Sequence, residues 1–192
     1  MLQTIKLFSS KTNLCDKMNI VLVGYRCSGK TTVGEILASE LGRDFLDTDI
    51  MIEQKAGCSI ETITSRDGWD HFRSLEKELI EEVSERDNLV IATGGGVVMD
   101  GDNVKNLKRN GLMVWLKGDA QVIKERMDKD QKSGKLRPSL TGSDPLEEIK
   151  GLLHIRNPLY QQAGNIMVDT AALSIREVAD HIMNALKERL HE

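Results

Sequence analysis

The sequence predicts an α/β fold in which one parallel sheet is flanked by crossover helices. Short apolar runs alternate along the chain with longer segments of helical periodicity, which is the pattern of such a sheet. The chain of 192 residues has the length of one domain. Its 40% hydrophobic and 29% charged residues are an ordinary balance for a protein with a buried core.

Apolar runs predict strands at residues 19–23, 45–46, 89–92, 112–116 and 165–168. The first run is almost continuously apolar, as expected for a strand that is buried on both faces. Helices are predicted between the strands, beginning with residues 31–41, where apolar side chains recur at helical spacing. The last helix is predicted over residues 174–190.

Composition and charge exclude several classes of protein. The formal net charge of −4 predicts no strongly basic face, so nucleic acid is not expected as a partner. No apolar run approaches the roughly 18 residues that a membrane span needs. Three cysteines without CxxC spacing indicate neither a disulfide framework nor a zinc site, which favours a reducing compartment. We therefore expect a cytoplasmic protein, and a monomer.

Residues 1–17 are expected to form a disordered extension that precedes a single domain at residues 18–192. The extension carries three lysines but lacks the continuous apolar stretch of a secretory signal. Met18 is an alternative functional start.

A phosphate-binding pattern follows the first predicted strand. Residues 24–31 read Gly-Tyr-Arg-Cys-Ser-Gly-Lys-Thr and fit GxxxxGK[ST] without a mismatch. The second glycine lets the backbone curl so that N–H groups point at phosphate oxygens, beside the positive end of the following helix. Lys30 is expected to reach the β- and γ-phosphates, and the Thr31 hydroxyl to bind magnesium. The predicted ATP site comprises Gly24, Cys27, Ser28, Gly29, Lys30, Thr31 and Thr32.

Asp47 and Asp49 directly follow the second predicted strand, at the sheet edge where open α/β folds bind ligands. Two carboxylates in this place can serve a metal ion and a substrate hydroxyl. Aspartates also cap helices, and Asp49 is a candidate cap for the helix that follows. Both interpretations are open at this point.

Gly94, Gly95 and Gly96 follow the third predicted strand at the same edge. Successive glycines expose bare backbone and permit the close approach of a ligand. A tight turn alone needs one or two glycines, so the run favours a binding loop.

Arg73 and Arg156 are candidates for binding a carboxylate, because an arginine fork can form two parallel hydrogen bonds with one. Arg73 is predicted to precede an acidic amphipathic helix. Arg156 is predicted to end a helix, since Pro158 disfavours helical geometry at Asn157. An ion pair with an acidic surface neighbour is the alternative for each arginine.

Residues 129–143 interrupt the alternation of strands and helices. The segment is polar and includes the basic residues Lys132, Lys135 and Arg137. A loop of this length in a compact domain is either functional or disordered. Its basic residues suit a lid that closes over phosphates, and a solvated connection is the alternative.

Taken together and in this order, these motifs resemble the shikimate kinase family. Beyond the phosphate loop, the resemblance rests on Asp47-Thr48-Asp49, Gly57-Cys58-Ser59-Ile60, Phe72-Arg73 with Glu76, Gly94-Gly95-Gly96, Arg137-Pro138 and Arg156-Asn157-Pro158-Leu159-Tyr160. It covers nearly the whole chain from Asn19 to the last helix. Departures from the family pattern at Ser139 and at Trp69-Asp70-His71 remove no charged ligand contact.

The resemblance implies a five-stranded parallel sheet as in nucleoside monophosphate kinases, with a mobile lid at about residues 129–143. The implied activity transfers the γ-phosphoryl group of magnesium-bound ATP to the 3-hydroxyl of shikimate. The products would be shikimate 3-phosphate and ADP, in the chorismate route to aromatic amino acids.

The resemblance also implies how the acceptor is bound. Asp49 would hold the 3-hydroxyl and act as its base. Arg73 and Arg156 would clamp the carboxylate of shikimate, with help from the backbone of the glycine run, above all Gly95 and Gly96.

On the nucleotide side, the resemblance makes Lys30 and the lid residue Arg137 catalytic through their charge. Asp47 would support the magnesium ion beside Thr31. Arg126 would stack on the adenine ring.

Other functions remain possible on the same scaffold. A kinase for another small molecule, such as gluconate, shares the phosphate loop, but the triple glycine and the Arg156 motif speak against it. A regulatory module would bind ATP without an acceptor site, against which Asp49, Arg73 and Arg156 argue. Residues 1–17 leave open a domain of a multifunctional pathway enzyme.

Overall fold

A parallel five-stranded sheet forms the centre of the protein in a computed structural model that describes residues 17–132 and 144–191. Its strands are β1 (Asn19–Val23), β2 (Asp44–Asp47), β3 (Leu89–Ala92), β4 (Gly111–Lys117) and β5 (Ile166–Asp169). The strand order is β2-β3-β1-β4-β5, with every neighbouring pair parallel. The predicted α/β class and the predicted strands are confirmed.

Helices connect the strands and cover both faces of the sheet. They are α1 (Lys30–Leu41), α2 (Thr48–Ala56), α3 (Ile60–Ser84), α4 (Gly101–Arg109), α5 (Ala120–Lys132), α6 (Pro145–Ala163) and α7 (Ile175–His191), with a 3₁₀ turn at Val97–Met99. In the part of the chain that the structure describes, no helix combines the length and apolar character that a membrane crossing requires. The predicted extension lies outside the described residues, apart from Lys17.

The continuous apolar character of β1 is explained by a separate core on each face of the sheet. Ile20 and Leu22 belong to the core that α1 and α7 cover. Val21 and Val23 point the other way, into the core beneath α3, α4 and α6. Since successive side chains of a strand alternate between faces, a central strand with two covered faces must be apolar throughout.

The predicted helix end at Arg156–Pro158 is wrong. Helix α6 continues through Pro158 to Ala163 and ends against Gly164. Proline removes one helical hydrogen bond, but Pro158 and His154 lie on the exposed side, where water can reach the carbonyl that loses its partner. Burial of Tyr160, which is 0% exposed, stabilises the helical turn that follows Pro158.

Two other expected boundaries are corrected. Arg73 does not precede a helix but lies within α3, whose two halves meet at a kink where Gly68 has φ 84° and ψ 168°. Because the kink interrupts the helix, the helical periodicity of the sequence is not continuous across α3 and does not indicate its first half. Helix α5 extends to Lys132, so the first four residues of the predicted irregular segment 129–143 are helical, and residues 133–143 lie outside the described part. Residues 120–133 contain no glycine or proline, so the sequence of this stretch does not favour an earlier end of the helix.

Candidate active site

The phosphate loop joins the end of β1 to the start of α1, as the sequence predicts. Lys30 folds back over this loop, and its Nζ donates to the carbonyl oxygens of Gly24 and Tyr25, each at 2.9 Å. Ser28 is 1% exposed, and its Oγ makes no hydrogen bond to any residue that the structure describes. Anions are favoured here, because the first turn of a helix leaves N–H groups without intrahelical partners.

Cys27 occupies an unusual backbone conformation within the loop. Its φ of 61° lies in the left-handed region, which residues other than glycine rarely adopt. The Cys27 Sγ lies 3.6 Å from Asp130 Oδ2 of α5. Arg126, one turn earlier on α5, donates to the side chain and carbonyl of Thr170 at 3.0 and 2.7 Å. Arg126 therefore lies between the phosphate loop and the segment after β5, and its contact with adenine stays a prediction.

Asp47 both caps α2 and contacts the phosphate loop. Its Oδ1 accepts from the N–H groups of Asp49 and Ile50, so the cap is Asp47 rather than Asp49. Its Oδ2 accepts from the Thr31 hydroxyl at 2.8 Å. A carboxylate beside a hydroxyl suits magnesium, which takes few protein ligands and completes its shell with phosphates and water. Among the described residues there is no cluster of three or more His, Cys, Asp or Glu to hold a metal by themselves.

The glycine run after β3 is surrounded by charged groups. A Cβ at Gly94 would lie 2.7 Å from Asp49 Oδ1 and 2.8 Å from Glu76 Oε1. A Cβ at Gly96 would overlap the guanidinium of Arg73. The run therefore places Asp49, Glu76 and Arg73 along one short stretch of bare backbone.

Arg156 reaches the same run from α6. Its Nη1 donates to the carbonyl of Gly95 at 3.1 Å, and the Tyr160 hydroxyl donates to that oxygen as well. The Nε of Arg156 is buried and makes no hydrogen bond to any described residue. A ligand oxygen is the natural partner for this donor.

Arg73 pairs with Glu76 one turn along α3, with Nη1 2.6 Å from Oε2. The Glu76 side chain is 1% exposed, whereas that of Arg73 is 35% exposed. Burial raises the pKa of Glu76, and the charge of Arg73 opposes this rise only in part. The ion pair orients Arg73 while its outer side stays accessible.

An open cavity of about 460 Å³ lies beside this pair and is lined in part by Arg73, Glu76, Gly96 and Asn103. Asn103 is 1% exposed, and its Oδ1 makes no hydrogen bond within the described part of the chain. Asn103 was not identified from the sequence, because a single asparagine in an amphipathic helix carries no motif. Tyr160 and Glu76 belong to motifs of the sequence, but the motifs alone predict no role for them.

The structure brings together most of the predicted site residues. The phosphate loop, Asp47, Asp49, the glycine run, Arg73 and Arg156 all meet at the carboxyl edge of the sheet. Arg137 lies outside the described residues. A phosphate loop next to a glycine run that two arginines and the carboxylate of Asp49 approach defines a nucleotide-dependent phosphotransferase for a small anionic acceptor.

Comparisons with known proteins identify the family within this class. The family model described as "Shikimate kinase" matches residues 26–187. Shikimate kinases of Symbiobacterium thermophilum and Pelotomaculum thermopropionicum are 41% and 42% identical to the chain, covering 90% and 88% of it and 98% and 96% of themselves. A solved structure of the Acinetobacter baumannii shikimate kinase in complex with shikimate superposes with a TM-score of 0.84 at 35% identity, over 93% of this chain and 98% of that one. The chain belongs to the shikimate kinase family.

The space left by Gly96 yields a first prediction. The backbone angles of Gly96 (φ −104°, ψ −2°) suit alanine, but the new Cβ of Gly96→Ala would meet the guanidinium of Arg73. The substitution should therefore displace the Arg73 side chain. A flexible side chain can move, so the melting temperature should hardly change. The acceptor KM, measured in steady-state assays, should rise roughly tenfold or more, since hydrogen bonds to charged groups are worth about 1.5–3 kcal/mol.

Gly151→Ala is the matched control for this substitution. A Cβ at Gly151, on exposed α6 surface, would meet nothing within 4 Å. Its acceptor KM should equal that of the wild type. An unchanged KM in Gly96→Ala would separate Arg73 from acceptor binding.

A second prediction concerns the buried carboxyl of Glu76. Because its folded-state pKa lies above the ordinary 4.5, the folded protein binds the proton more tightly than the unfolded chain. This contribution to stability is complete below the unfolded pKa and is lost as the pH rises through the folded pKa. Glu76→Gln removes the titration, so its unfolding free energy relative to wild type should increase from about pH 4 to about pH 8.

Urea unfolding of both proteins across this pH range measures the difference directly. A difference that decreases with rising pH would mean that the charge of Arg73 outweighs the burial of Glu76.

Proposed function

We propose that the protein transfers the γ-phosphoryl group of ATP to the 3-hydroxyl of shikimate, giving shikimate 3-phosphate and ADP. The observation that carries this proposal is the position of Asp49, Arg73 and Arg156 around Gly94–Gly96, next to the phosphate loop. A Cβ at Gly95 would lie 3.2 Å from the backbone N of Arg26, so the acceptor pocket adjoins the nucleotide site directly. The relative solved in complex with shikimate supports the choice of acceptor.

On the nucleotide side, Lys30 would exchange its bonds to loop carbonyls for the β- and γ-phosphates. Thr31 and Asp47 would hold the magnesium ion of the nucleotide, since their oxygens already lie side by side. The ion would neutralise charge that develops on the phosphates. Arg126 would contact adenine, and Arg137 would add a positive charge over the transferring group.

On the acceptor side, Arg156 beside Gly95 and Arg73 beside Gly96 would bind the carboxylate together. Arg156 offers its buried Nε, and Arg73 offers the exposed side of a guanidinium that Glu76 holds in place. Asp49, which lies beside Gly94, would accept the proton of the reacting hydroxyl. This division gives the acceptor one orientation, with its carboxylate and its hydroxyl bound by groups of opposite charge.

The chemistry matches what such a site can do. Phosphoryl transfer requires in-line positioning and charge neutralisation more than covalent help. Lys30 provides positive charge at the phosphates, and Asp49 directs the hydroxyl at them. We further propose that the protein acts as a monomer in the cytoplasm, which size-exclusion chromatography tests for the oligomeric state.

A coupled assay of ADP release tests the proposed activity. ADP release from ATP should depend on shikimate and on magnesium, and phosphorus NMR should identify shikimate 3-phosphate. Gluconate should give no release above the background of ATP hydrolysis. Release with gluconate but not with shikimate would replace the proposed acceptor, and nucleotide binding without transfer to either would favour a regulatory module.

A third prediction tests the carboxylate contact. Arg156→Ala should raise the KM for shikimate on the order of a hundredfold, because it removes up to two charge-assisted hydrogen bonds. The carboxylate keeps its charge during transfer, so KM should change more than kcat, and the KM for ATP should change little. Arg156→Lys should restore only part of the affinity, because a point charge cannot reproduce the fork.

Arg109→Ala is the control, since Arg109 and its partner Glu85 are 59% and 68% exposed at the surface. It should leave both KM values unchanged. A normal shikimate KM in Arg156→Ala would exclude Arg156 from the acceptor site.

A fourth prediction tests the proposed base. Asp49→Asn should lower kcat by roughly 100- to 10,000-fold while ATP affinity stays close to normal, because the amide cannot take up the proton. Single-turnover kinetics and nucleotide titration measure the two effects separately. Loss of ATP affinity with normal kcat would assign Asp49 to the nucleotide or its metal ion.

A further inference from the structure

Helix α6 contacts the site through three side chains on one face. Glu148, Arg156 and Tyr160 are separated by eight and four residues, close to whole numbers of helical turns. Arg156 and Tyr160 donate to the carbonyl of Gly95. Glu148, two turns earlier, instead contacts the phosphate loop, so the helix is attached to both halves of the site.

The contact of Glu148 is a largely buried ion pair with Arg26. Arg26 Nη2 donates to Glu148 Oε1 at 2.8 Å, and the two side chains are 15% and 1% exposed. A buried ion pair adds little net stability, because desolvation offsets the attraction between the charges. The pair does require one relative geometry of its elements, and here these elements are the phosphate loop and α6.

Tyr25 connects this ion pair to Arg156. The guanidinium carbons of Arg26 and Arg156 lie 5.8 and 5.7 Å from the centroid of its ring, within range of cation–π attraction. The ring is 1% exposed and packs in one cluster with Ile149 and Leu153 of α6. Burial raises the pKa of the Tyr25 hydroxyl, which therefore stays neutral at physiological pH.

We propose that Glu148 is a positioning residue for the acceptor. By fixing Arg26 and α6 against the phosphate loop, Glu148 holds Arg156 between the Tyr25 ring and the Gly95 carbonyl, where it binds the carboxylate. Without the carboxylate of Glu148, Arg26 loses a charged partner in a largely buried position, so its guanidinium shifts and α6 loses its ion pair with the phosphate loop. This inference rests on the proposed function, in which Arg156 binds the acceptor.

Glu148→Gln tests the proposal, because it keeps the shape of the side chain and removes its charge. The KM for shikimate should rise about tenfold, while kcat and the KM for ATP should change less than about threefold. Glu147→Gln is the matched control on the neighbouring position, where an exposed pair with Lys150 spans 2.9 Å. The control should match the wild type in all three constants. A Glu148→Gln enzyme that also matched the wild type in all three would contradict the proposal.

A double-mutant cycle shows whether Glu148 acts through Arg156. In the Arg156→Ala background, Glu148→Gln should add little to the shikimate KM, since the group that it positions is already absent. Independent, multiplying effects would overturn the proposal. An Arg156→Ala variant with normal shikimate KM would instead contradict the proposed function, so the two failures are distinguishable.

A second variant covers the case in which Glu148→Gln unfolds. The double substitution Arg26→Met with Glu148→Met should keep a melting temperature near that of the wild type, because apolar residues often replace a buried ion pair without loss of stability. Its shikimate KM should remain raised about tenfold, since flexible apolar contacts do not fix one geometry. A wild-type shikimate KM in this stable variant would mean that the ion pair contributes only to packing and does not position Arg156.

Discussion

The bare backbone of Gly94–Gly96 is the constraint on which the acceptor pocket depends. Each glycine leaves room for a different neighbour, namely the carboxylates of Asp49 and Glu76 at the first, the phosphate loop at the second and Arg73 at the third. None of the three has a positive φ, so other residues could adopt these backbone angles. The run is therefore required for space rather than for conformational freedom. A side chain at Gly94 or Gly96 would push apart the charges that the pocket brings together, and one at Gly95 would press against the backbone of the phosphate loop.

The parallel sheet explains why segments far apart in sequence meet at this run. The register pairs Asp47 with Ala92 and Ala92 with Leu22, so β2, β3 and β1 end at nearly the same level. Whatever follows these strands must lie at one edge of the sheet. This geometry made much of the site predictable, because strand ends can be identified from apolar runs and the residues that follow them are known from the sequence.

The remaining features depend on contacts that no local pattern encodes. Arg26 and Glu148 are separated by 122 residues, and nothing in either segment indicates its partner. Helix α6 continues through Pro158 because burial of Tyr160 outweighs a local preference that by itself would end the helix. Local sequence thus predicted the phosphate loop, whose conformation depends on its own glycines, but not the attachment of α6, which depends on tertiary packing.

The buried polar atoms of the site show what this arrangement costs. Ser28 Oγ, Glu76 Oε1 and Arg156 Nε are buried and make no hydrogen bond to the residues that the structure describes. A buried polar atom without a partner costs about 1–3 kcal/mol, and a core selected for stability alone would avoid such atoms. Ser28 and Arg156 lie where the phosphates and the acceptor are proposed to bind, and Glu76 Oε1 lies beside Gly94 at the edge of the acceptor pocket. Substrates that supply the missing partners bind the folded state only, so part of the binding free energy should appear as increased stability of the fold.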